Sequence, residues 1–349
     1  MAVTERFVGQ PVLRKEDAPL LQGQGSFVDN MSIAGMVHMA IVRSPFAHAR
    51  VVKVDVSKAL EMPGVIAAWS ATDLTDEWAG PLPMVWPITE DIKTSDHWPL
   101  TKDKARFQGD GVAVVLGESR GLADDGAEAV DVEYDALPAV LDIEDAVRDG
   151  APLVHDELGT NAVVHWSHGG GGDQSLFESA PVKLKLRYEA PRTTPSAIEP
   201  RGALASPVPS LGEFTLWTST QIPHIARVTL SGTTGIPEHK LRIVAPDVGG
   251  SFGGKLDVYA EEALCLALAR KTGRPVKWIE SRSENYSVTI HGRGVIHDIE
   301  VAATEGGKIL GFHVTELCDM GAYFQLLTPG IPELGGWVYM GPYDTQAYW

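Results

Sequence analysis

The sequence predicts an α+β protein in two parts joined by an extended linker, and three observations predict it. Between Met36 and Tyr134, short apolar or β-branched runs are mixed with short helical stretches and turn signals. The run Gly169-Gly170-Gly171-Gly172-Asp173 is the strongest flexible punctuation in the chain. From Val182 onward strands dominate, and a length of 349 residues suits about two domains. These place a first domain at residues 1–145 (ordered core about 15–141), a linker at 146–180 and a second domain at 181–349, incomplete at its C-terminus.

Each element has a local reason. Met36–Val42, Val51–Val56 and Val65–Trp69 read as strands, with a short helix Lys58–Met62 capped by Ser57 and closed by Pro63-Gly64. Asp73-Leu74 opens a loop, and residues 75–100, rich in Pro and Trp without a period, read as a surface excursion. Gly111–Leu116 is apolar throughout, as a strand buried on both faces should be, and leads to a helix at Ser119–Ala129 and a strand at Val130–Tyr134. Asp142–Val147 reads as a short helix. Strands follow at Val182–Tyr188, Ala203–Ser206 and Phe214–Thr218, then a helix Pro223–Thr233 stopped by Gly235-Ile236-Pro237. Val295–Ala303 and Ile309–Cys318 flank Glu305-Gly306-Gly307-Lys308 as a hairpin. The last twenty residues, glycine-rich and ending in Tyr348-Trp349, read as an interrupted domain that leaves apolar surface near Gly330–Trp349. A docked terminal strand is the alternative.

Composition excludes several functions. A net charge of −17 without any Lys/Arg run argues against a nucleic-acid surface. Two cysteines, Cys265 and Cys318, are too few for an iron–sulfur cluster or zinc finger held by this chain alone. Cys265 falls on the apolar face of a helix and reads as a small buried hydrophobe. No window approaches a membrane span and no signal region opens the chain, so the cytoplasm is the expected compartment.

The stretch with most chemistry is Val248-Gly249-Gly250-Ser251-Phe252-Gly253-Gly254-Lys255. It stands between a strand, Leu241–Ala245, and a helix, Asp257–Arg270, an arrangement that aims free N–H groups at an anionic ligand. Gly249–Lys255 fits the first seven positions of a P-loop. The next residue is Leu256, which offers no oxygen to Mg²⁺, and nucleotide hydrolysis is thereby disfavoured.

Taken in order, several motifs resemble the molybdenum-cofactor-binding large subunit of the molybdenum hydroxylases, the family of xanthine dehydrogenase, aldehyde oxidoreductase and aerobic carbon-monoxide dehydrogenase. In the first part they include Gly23-Gln24-Gly25-Ser26-Phe27, Arg43-Ser44-Pro45-Phe46-Ala47-His48-Ala49 and Arg106-Phe107-Gln108-Gly109-Asp110-Gly111. In the second they are Ile198-Glu199-Pro200-Arg201-Gly202-Ala203, Trp217-Thr218-Ser219-Thr220-Gln221, the glycine loop, Gly273-Arg274-Pro275-Val276-Lys277 and Asp319-Met320-Gly321-Ala322-Tyr323. The resemblance implies an α/β hammerhead domain followed by the first part of a molybdenum-cofactor-binding domain. It implies a molybdenum–molybdopterin cofactor, in the cytosine dinucleotide form if the source is bacterial. Iron–sulfur and FAD groups would reside on a small and a medium partner subunit.

On that resemblance Gln221 hydrogen-bonds an oxo ligand of the molybdenum, and the Phe252 backbone N–H points the same way. Gly250, Ser251 and Gly253 let the main chain approach the cofactor. The Phe252 ring is free to act as a core plug. No residue here is a direct metal ligand. Glu199 and Arg201 are expected as a buried ion pair, Lys255 as a local neutralising charge, His224 as a capping or supporting residue, and Asp319 as an acceptor for backbone donors near Gly321. His155, His165 and His168 have no metal-focusing spacing.

The departures also speak. Purine-oxidising members carry glutamate where Leu256 stands, so xanthine is a poor substrate guess; aldehydes, N-heterocycles and carbon monoxide remain. The family's R-G-x-G stretch, the cysteine loop of the carbon-monoxide enzymes and the base glutamate are expected beyond residue 349. This chain therefore holds no catalytic residue of its own, and the isolated chain is expected to be inactive. Either the sequence is a truncated gene product or the molybdenum subunit is split across two chains, and in the split case a second chain completing the subunit is an expected partner. The alternative is a fragment or assembly module of the same fold that binds no cofactor.

Overall fold

The computed structural model describes residues 7–349 apart from 83, 85, 86, 171–173 and 346, so part of the glycine run (171–172) and Asp173 lie outside the described residues. In chain order the strands are β1 Val37–Arg43, β2 Ala49–Asp55, β3 Val65–Ser70, β4 Lys104–Ala105, β5 Gly111–Gly117, β6 Asp131–Ala136 and β7 Val182–Ala190. They continue as β8 Gly202–Val208, β9 Glu213–Thr218, β10 Leu241–Val244, β11 Val276–Ile279, β12 Val295–Ala303, β13 Ile309–Cys318 and β14 Ala347–Tyr348. The α-helices are α1 Asp17–Leu21, α2 Ser57–Leu60, α3 Arg120–Glu128, α4 Ile143–Ala146, α5 Gln174–Ser179, α6 Pro223–Thr234, α7 Ala260–Thr272, α8 Arg282–Val288 and α9 Gly330–Val338.

A seven-stranded sheet in the order β10-β9-β8-β11-β1-β5-β3 draws on both ends of the sequence. The junction is β11 lying parallel to β1, with Val37 opposite Val276 and the Val37 N–H bonded to the Pro275 carbonyl at 2.9 Å. Buried Lys277 locks it by donating to the Asp29 and Met31 carbonyls at 2.7 and 3.0 Å. A charged head can be buried there because backbone oxygens replace its water.

Helix α7 packs under β8, β9 and β11, and its residues from Glu261 to Ala269 are all buried. An apolar surface on every side is what a helix wrapped by its neighbours needs. Leu264, Leu266 and Leu268 join Leu116, Leu216, Leu230 and Trp278 in the main core. Gly273, at φ 67°, ends the helix in the left-handed conformation that glycine adopts at least cost. A three-stranded sheet (β4-β2-β6) and a four-stranded one (β14-β13-β12-β7) complete the structure.

Several expectations are corrected. Ser57 does not cap α2: it is the first helical residue, and Asp55 accepts its N–H and hydroxyl at 3.1 and 2.6 Å. Asp73-Leu74 lies in a short 3₁₀ helix, Thr72–Glu77, rather than opening a loop. Helix α7 starts at Ala260, not Asp257, because the Glu262 carboxylate takes the Tyr259 N–H at 3.0 Å and sets the start there. The C-terminal region contains α9, and β14 docks parallel to β13, pairing Ala347 with Gly311 and Tyr348 with Phe312. Ile331, Leu334, Trp337 and Val338 of α9 are exposed. Among the described residues, no helix is long and apolar enough to cross a membrane.

Candidate functional site

Strands β9 and β10 are parallel neighbours, in register from Leu241 opposite Phe214 to Val244 opposite Trp217. Their C-terminal ends therefore open on one edge of the sheet, where parallel strands leave room for a ligand. Beyond β9 comes Ser219-Thr220-Gln221, and beyond β10 comes the glycine loop. The two segments meet: the Gln221 N–H donates to the Lys255 carbonyl at 2.9 Å. Thirty positions apart in sequence, Gln221 and Ser251 are hydrogen-bonded, the serine hydroxyl donating to the Gln221 Oε1.

The loop is anchored from below. Glu199 Oε2 accepts the Gly249 N–H at 2.6 Å and the Lys255 ammonium at 2.7 Å, and the Glu199 N–H returns to the Gly249 carbonyl at 3.1 Å. Lys255 is only 3% exposed. Burial pulls its pKa below the ordinary lysine value, against the opposing pull of Glu199. From the first part of the chain, Ser26 braces the approach: its N–H donates to Asp247 at 2.7 Å and its carbonyl accepts the Asp247 N–H at 3.1 Å.

Above these anchors the main chain is open. Among the described residues, the N–H groups of Gly250, Ser251, Phe252 and Gly253 have no acceptor within the chain, whereas those of Gly254, Lys255 and Leu256 are all bonded. Gly250 (φ 98°), Phe252 (φ 53°) and Gly253 (φ 92°) have positive φ. A bulky residue held left-handed costs on the order of 1–3 kcal/mol and points to a site where backbone geometry matters. The Phe252 ring is 80% exposed, which removes the core-plug reading. A Cβ at Gly253 would have no heavy atom within 4 Å among the described residues beyond its chain neighbours, and one at Gly249 would stand 2.5 Å from the Glu199 Cβ. Gly249 thus serves internal packing, while the space over Gly253 is free. Four unpaired donors beside an exposed amide fit an oxygen-rich anionic group such as molybdopterin, its phosphates or a metal oxo ligand.

Beneath the loop lies a buried ionic cluster. Arg201 donates to Glu261 at 3.0 Å and to Glu280 at 2.6 Å, and its guanidinium lies 3.7 Å from the centre of the Tyr259 ring. Arg43, at the end of β1, reaches Glu261 at 2.8 Å and Glu284 at 2.8 Å. Burial resists the ionisation of Glu261, but Arg201 and Arg43 overcome it and hold the carboxyl at about 2. The expected Glu199–Arg201 pair does not form: Glu199 pairs with Lys255, and Arg201 with Glu261 and Glu280. Asp257, 4% exposed, accepts the Val258 and Leu326 N–H groups on Oδ1 at 2.8 and 3.2 Å, while Oδ2 has no partner among the described residues. Burial pushes its pKa up to about 7. Neither Asp257 nor the Arg43–Glu261–Arg201–Glu280 cluster announces itself in the sequence, since each joins residues far apart in the chain.

The other singled-out residues fall in place. His224 is exposed at the start of α6. Asp319 accepts the Gly321 N–H at 2.8 Å. His155 is buried, its Nε2 bonded to the Ala322 carbonyl at 2.6 Å, and burial lowers its pKa. Cys265 is fully buried, and burial raises its thiol well above the ordinary value. No group of three or more metal-ligating side chains occurs among the described residues. A cleft of about 1240 Å³ lies between His155, Arg192, Asp319 and Trp349 and is lined by neither Gln221 nor the glycine loop. Volume alone does not mark the site; unpaired donors do.

Known proteins match both parts of the chain. Residues 154–349 match the molybdopterin cofactor-binding domain family, and residues 22–138 match the a/b hammerhead domain of aldehyde oxidase and xanthine dehydrogenase. The carbon monoxide dehydrogenase large chain of Hydrogenophaga pseudoflava is 39% identical over 331 residues, 90% of this chain and 40% of that one. Its counterpart in Afipia carboxidovorans is 35% identical, over 93% of this chain and 41% of that one. The crystal structure of quinoline 2-oxidoreductase from Pseudomonas putida 86 superposes with a TM-score of 0.90 at 34% identity, over 97% of this chain and 43% of that one. The chain thus spans about two fifths of the length of the relatives it matches. On its sequence, fold and domain matches, it belongs to the molybdenum hydroxylase family.

Proposed function

We propose that this chain forms one wall of a molybdenum–molybdopterin site in a hetero-oligomeric hydroxylase. The observation that carries the reading is the set of four unpaired N–H groups from Gly250 to Gly253 beside the exposed Gln221 amide. When bound, the cofactor supplies the oxidative hydroxylation of a small substrate, or the oxidation of carbon monoxide. Gln221 donates an uncharged hydrogen bond towards an oxo ligand, and the N–H groups of the loop hold the cofactor without placing a side chain against it. Substrates of the relatives support an aldehyde, an N-heterocycle or carbon monoxide; Leu256 disfavours a purine.

The cytosine dinucleotide form of the cofactor, an iron–sulfur small subunit, an FAD medium subunit and a cytoplasmic location belong to the same proposal. So does the division into residues 1–145, a linker 146–180 and residues 181–349. The base glutamate is supplied by a segment outside residues 1–349, on the same polypeptide or on a second chain packed beside this one. The exposed Ile331, Leu334, Trp337 and Val338 of α9 support such a neighbour.

The test is molybdenum content together with turnover in the assembled enzyme. Gln221→Ala keeps the fold and most of the molybdenum and loses about 10²–10³ in kcat, the worth of one donor to developing charge. Gln221→Glu is worse, since a carboxylate facing an oxo ligand repels it. Wild-type rates at full occupancy in both variants remove Gln221 from the site. Absence of molybdenum from the assembled complex selects the cofactor-free assembly module instead. The isolated 349-residue chain shows no hydroxylase activity; turnover by it, free of other polypeptides, refutes the assignment of the base outside residues 1–349.

A further inference from the structure

We propose that Ser251 is a positioning residue that fixes which end of the Gln221 amide faces the cofactor. A glutamine amide presents an acceptor oxygen or a donor NH₂, and rotation by half a turn exchanges them. Only the donor end serves an oxo ligand. The exchange is blocked here by a directed relay. The Lys255 N–H donates to the Ser251 Oγ at 3.0 Å, and the Ser251 hydroxyl donates in turn to the Gln221 Oε1. Meanwhile the Gln221 N–H donates to the Lys255 carbonyl at 2.9 Å, so one residue of the loop, Lys255, holds both the glutamine backbone and, through Ser251, its side chain.

The direction of the relay follows from counting protons. The Ser251 hydroxyl has a single proton, and among the described residues its acceptor is Gln221 Oε1. Turning the amide would place NH₂ against that hydroxyl and leave the serine proton without an acceptor. With the relay intact the Gln221 Nε2 makes no hydrogen bond among the described residues, and Gln221 is exposed beside the four N–H groups of the loop that also lack an acceptor. Ser251 therefore converts a symmetric polar side chain into a one-way donor before any ligand arrives, the kind of support that orients groups around a metal centre. The consequence for chemistry rests on the proposed cofactor reading; the orientation itself does not.

The experiment uses the 349-residue chain, uniformly ¹⁵N-labelled and free of cofactor. The Gln221 side-chain NH₂ signals are identified by their disappearance in Gln221→Glu, and their {¹H}–¹⁵N NOE is measured. The expected result is an NOE for wild type as high as that of the β9 backbone amides, a fall in Ser251→Ala towards the value of the exposed Gln10 side chain, and recovery in Ser251→Thr, which restores the hydroxyl. Ser251→Cys, close in shape and a poor donor, carries the same test if the alanine variant fails to fold. An NOE unchanged in Ser251→Ala or Ser251→Cys overturns the proposal, as does a low wild-type value. In the assembled enzyme Ser251→Ala loses up to about tenfold in kcat, the worth of one hydrogen bond, and Ser251→Thr regains it. A rigid, serine-dependent Gln221 combined with no effect of Gln221→Ala on turnover refutes the cofactor reading and leaves the relay standing.

Discussion

Asp257→Asn should flatten the pH dependence of stability by an amount that the structure sets. Asp257 follows the glycine loop, is nearly fully buried, and has one oxygen with two backbone donors and one with none. Burial raises its pKa to about 7; Glu262 pushes the same way, and Arg201 and the two N–H donors oppose. In the unfolded chain a carboxyl of this type titrates near 3.9. The folded state therefore binds the proton more tightly. Stability from this group is fully present below about pH 4 and is lost as pH rises through about 7. The loss is about 1.36 kcal/mol per pH unit near pH 5 to 6 and about half that at pH 7, so roughly 2.3 kcal/mol between pH 5 and pH 7. Asparagine keeps the acceptor for Val258 and Leu326 and cannot ionise. Its NH₂ introduces a cost, but one independent of pH. Urea denaturation of both proteins at half-unit steps from pH 5 to 8 isolates the difference, since all other groups, including Asp110 with a pKa also raised to about 7, cancel. The variant should gain on wild type steadily from pH 5 to 7 and then run parallel. Parallel curves across the whole range refute a buried, proton-binding Asp257.

Arg201→Met leaves Glu261 and Glu280 buried with their main counter-charge gone, and should cost about 3–5 kcal/mol by denaturant titration; a loss under 1 kcal/mol contradicts the central place given to this guanidinium. Gly249→Ala sets a methyl 2.5 Å from the Glu199 Cβ and should lower stability by about 1–3 kcal/mol with or without cofactor. Gly253→Val, whose Cβ has no heavy atom within 4 Å among the described residues beyond its chain neighbours but which sits at φ 92°, should fold with a backbone cost of about 1–3 kcal/mol and fail to retain molybdenum in the assembled enzyme; full occupancy in that variant removes the loop as the cradle.

Much of the fold was legible because the signals are local. Alternation and a turn of suitable chemistry locate β12 and β13 to the residue, and Ser119, where the helix was expected to begin, caps α3 by accepting the Leu122 N–H. Elements stabilised from a distance were not. Strand β11 has four residues and exists because β1 and β8 flank it. Helix α9 contains Gly330, Pro332, Gly335 and Gly336, which propensity counts against a helix; the Tyr348 hydroxyl bonds the Gly336 carbonyl, and Trp166 packs against Gly336.

The same division between local and distant causes runs through the site. The glycine loop and Gln221 were visible as motifs, and their meeting follows once β9 and β10 are parallel neighbours. The charge pairing was misassigned because sequence proximity suggested Glu199 with Arg201. The chain bends at Ile198-Glu199, so two residues near in sequence take partners from different surroundings. Glu199 meets the loop through Gly249 and Lys255, while Arg201 enters the core and meets α7 and Glu280. Two consecutive layers result from one short segment: the upper charge pair ties down the loop, and the lower cluster ties the sheet to α7. A loop with four unpaired N–H groups and a left-handed phenylalanine is costly to hold open. The buried ion pairs beneath it are where that rigidity originates, so disturbing Arg201 should loosen the cradle without touching it.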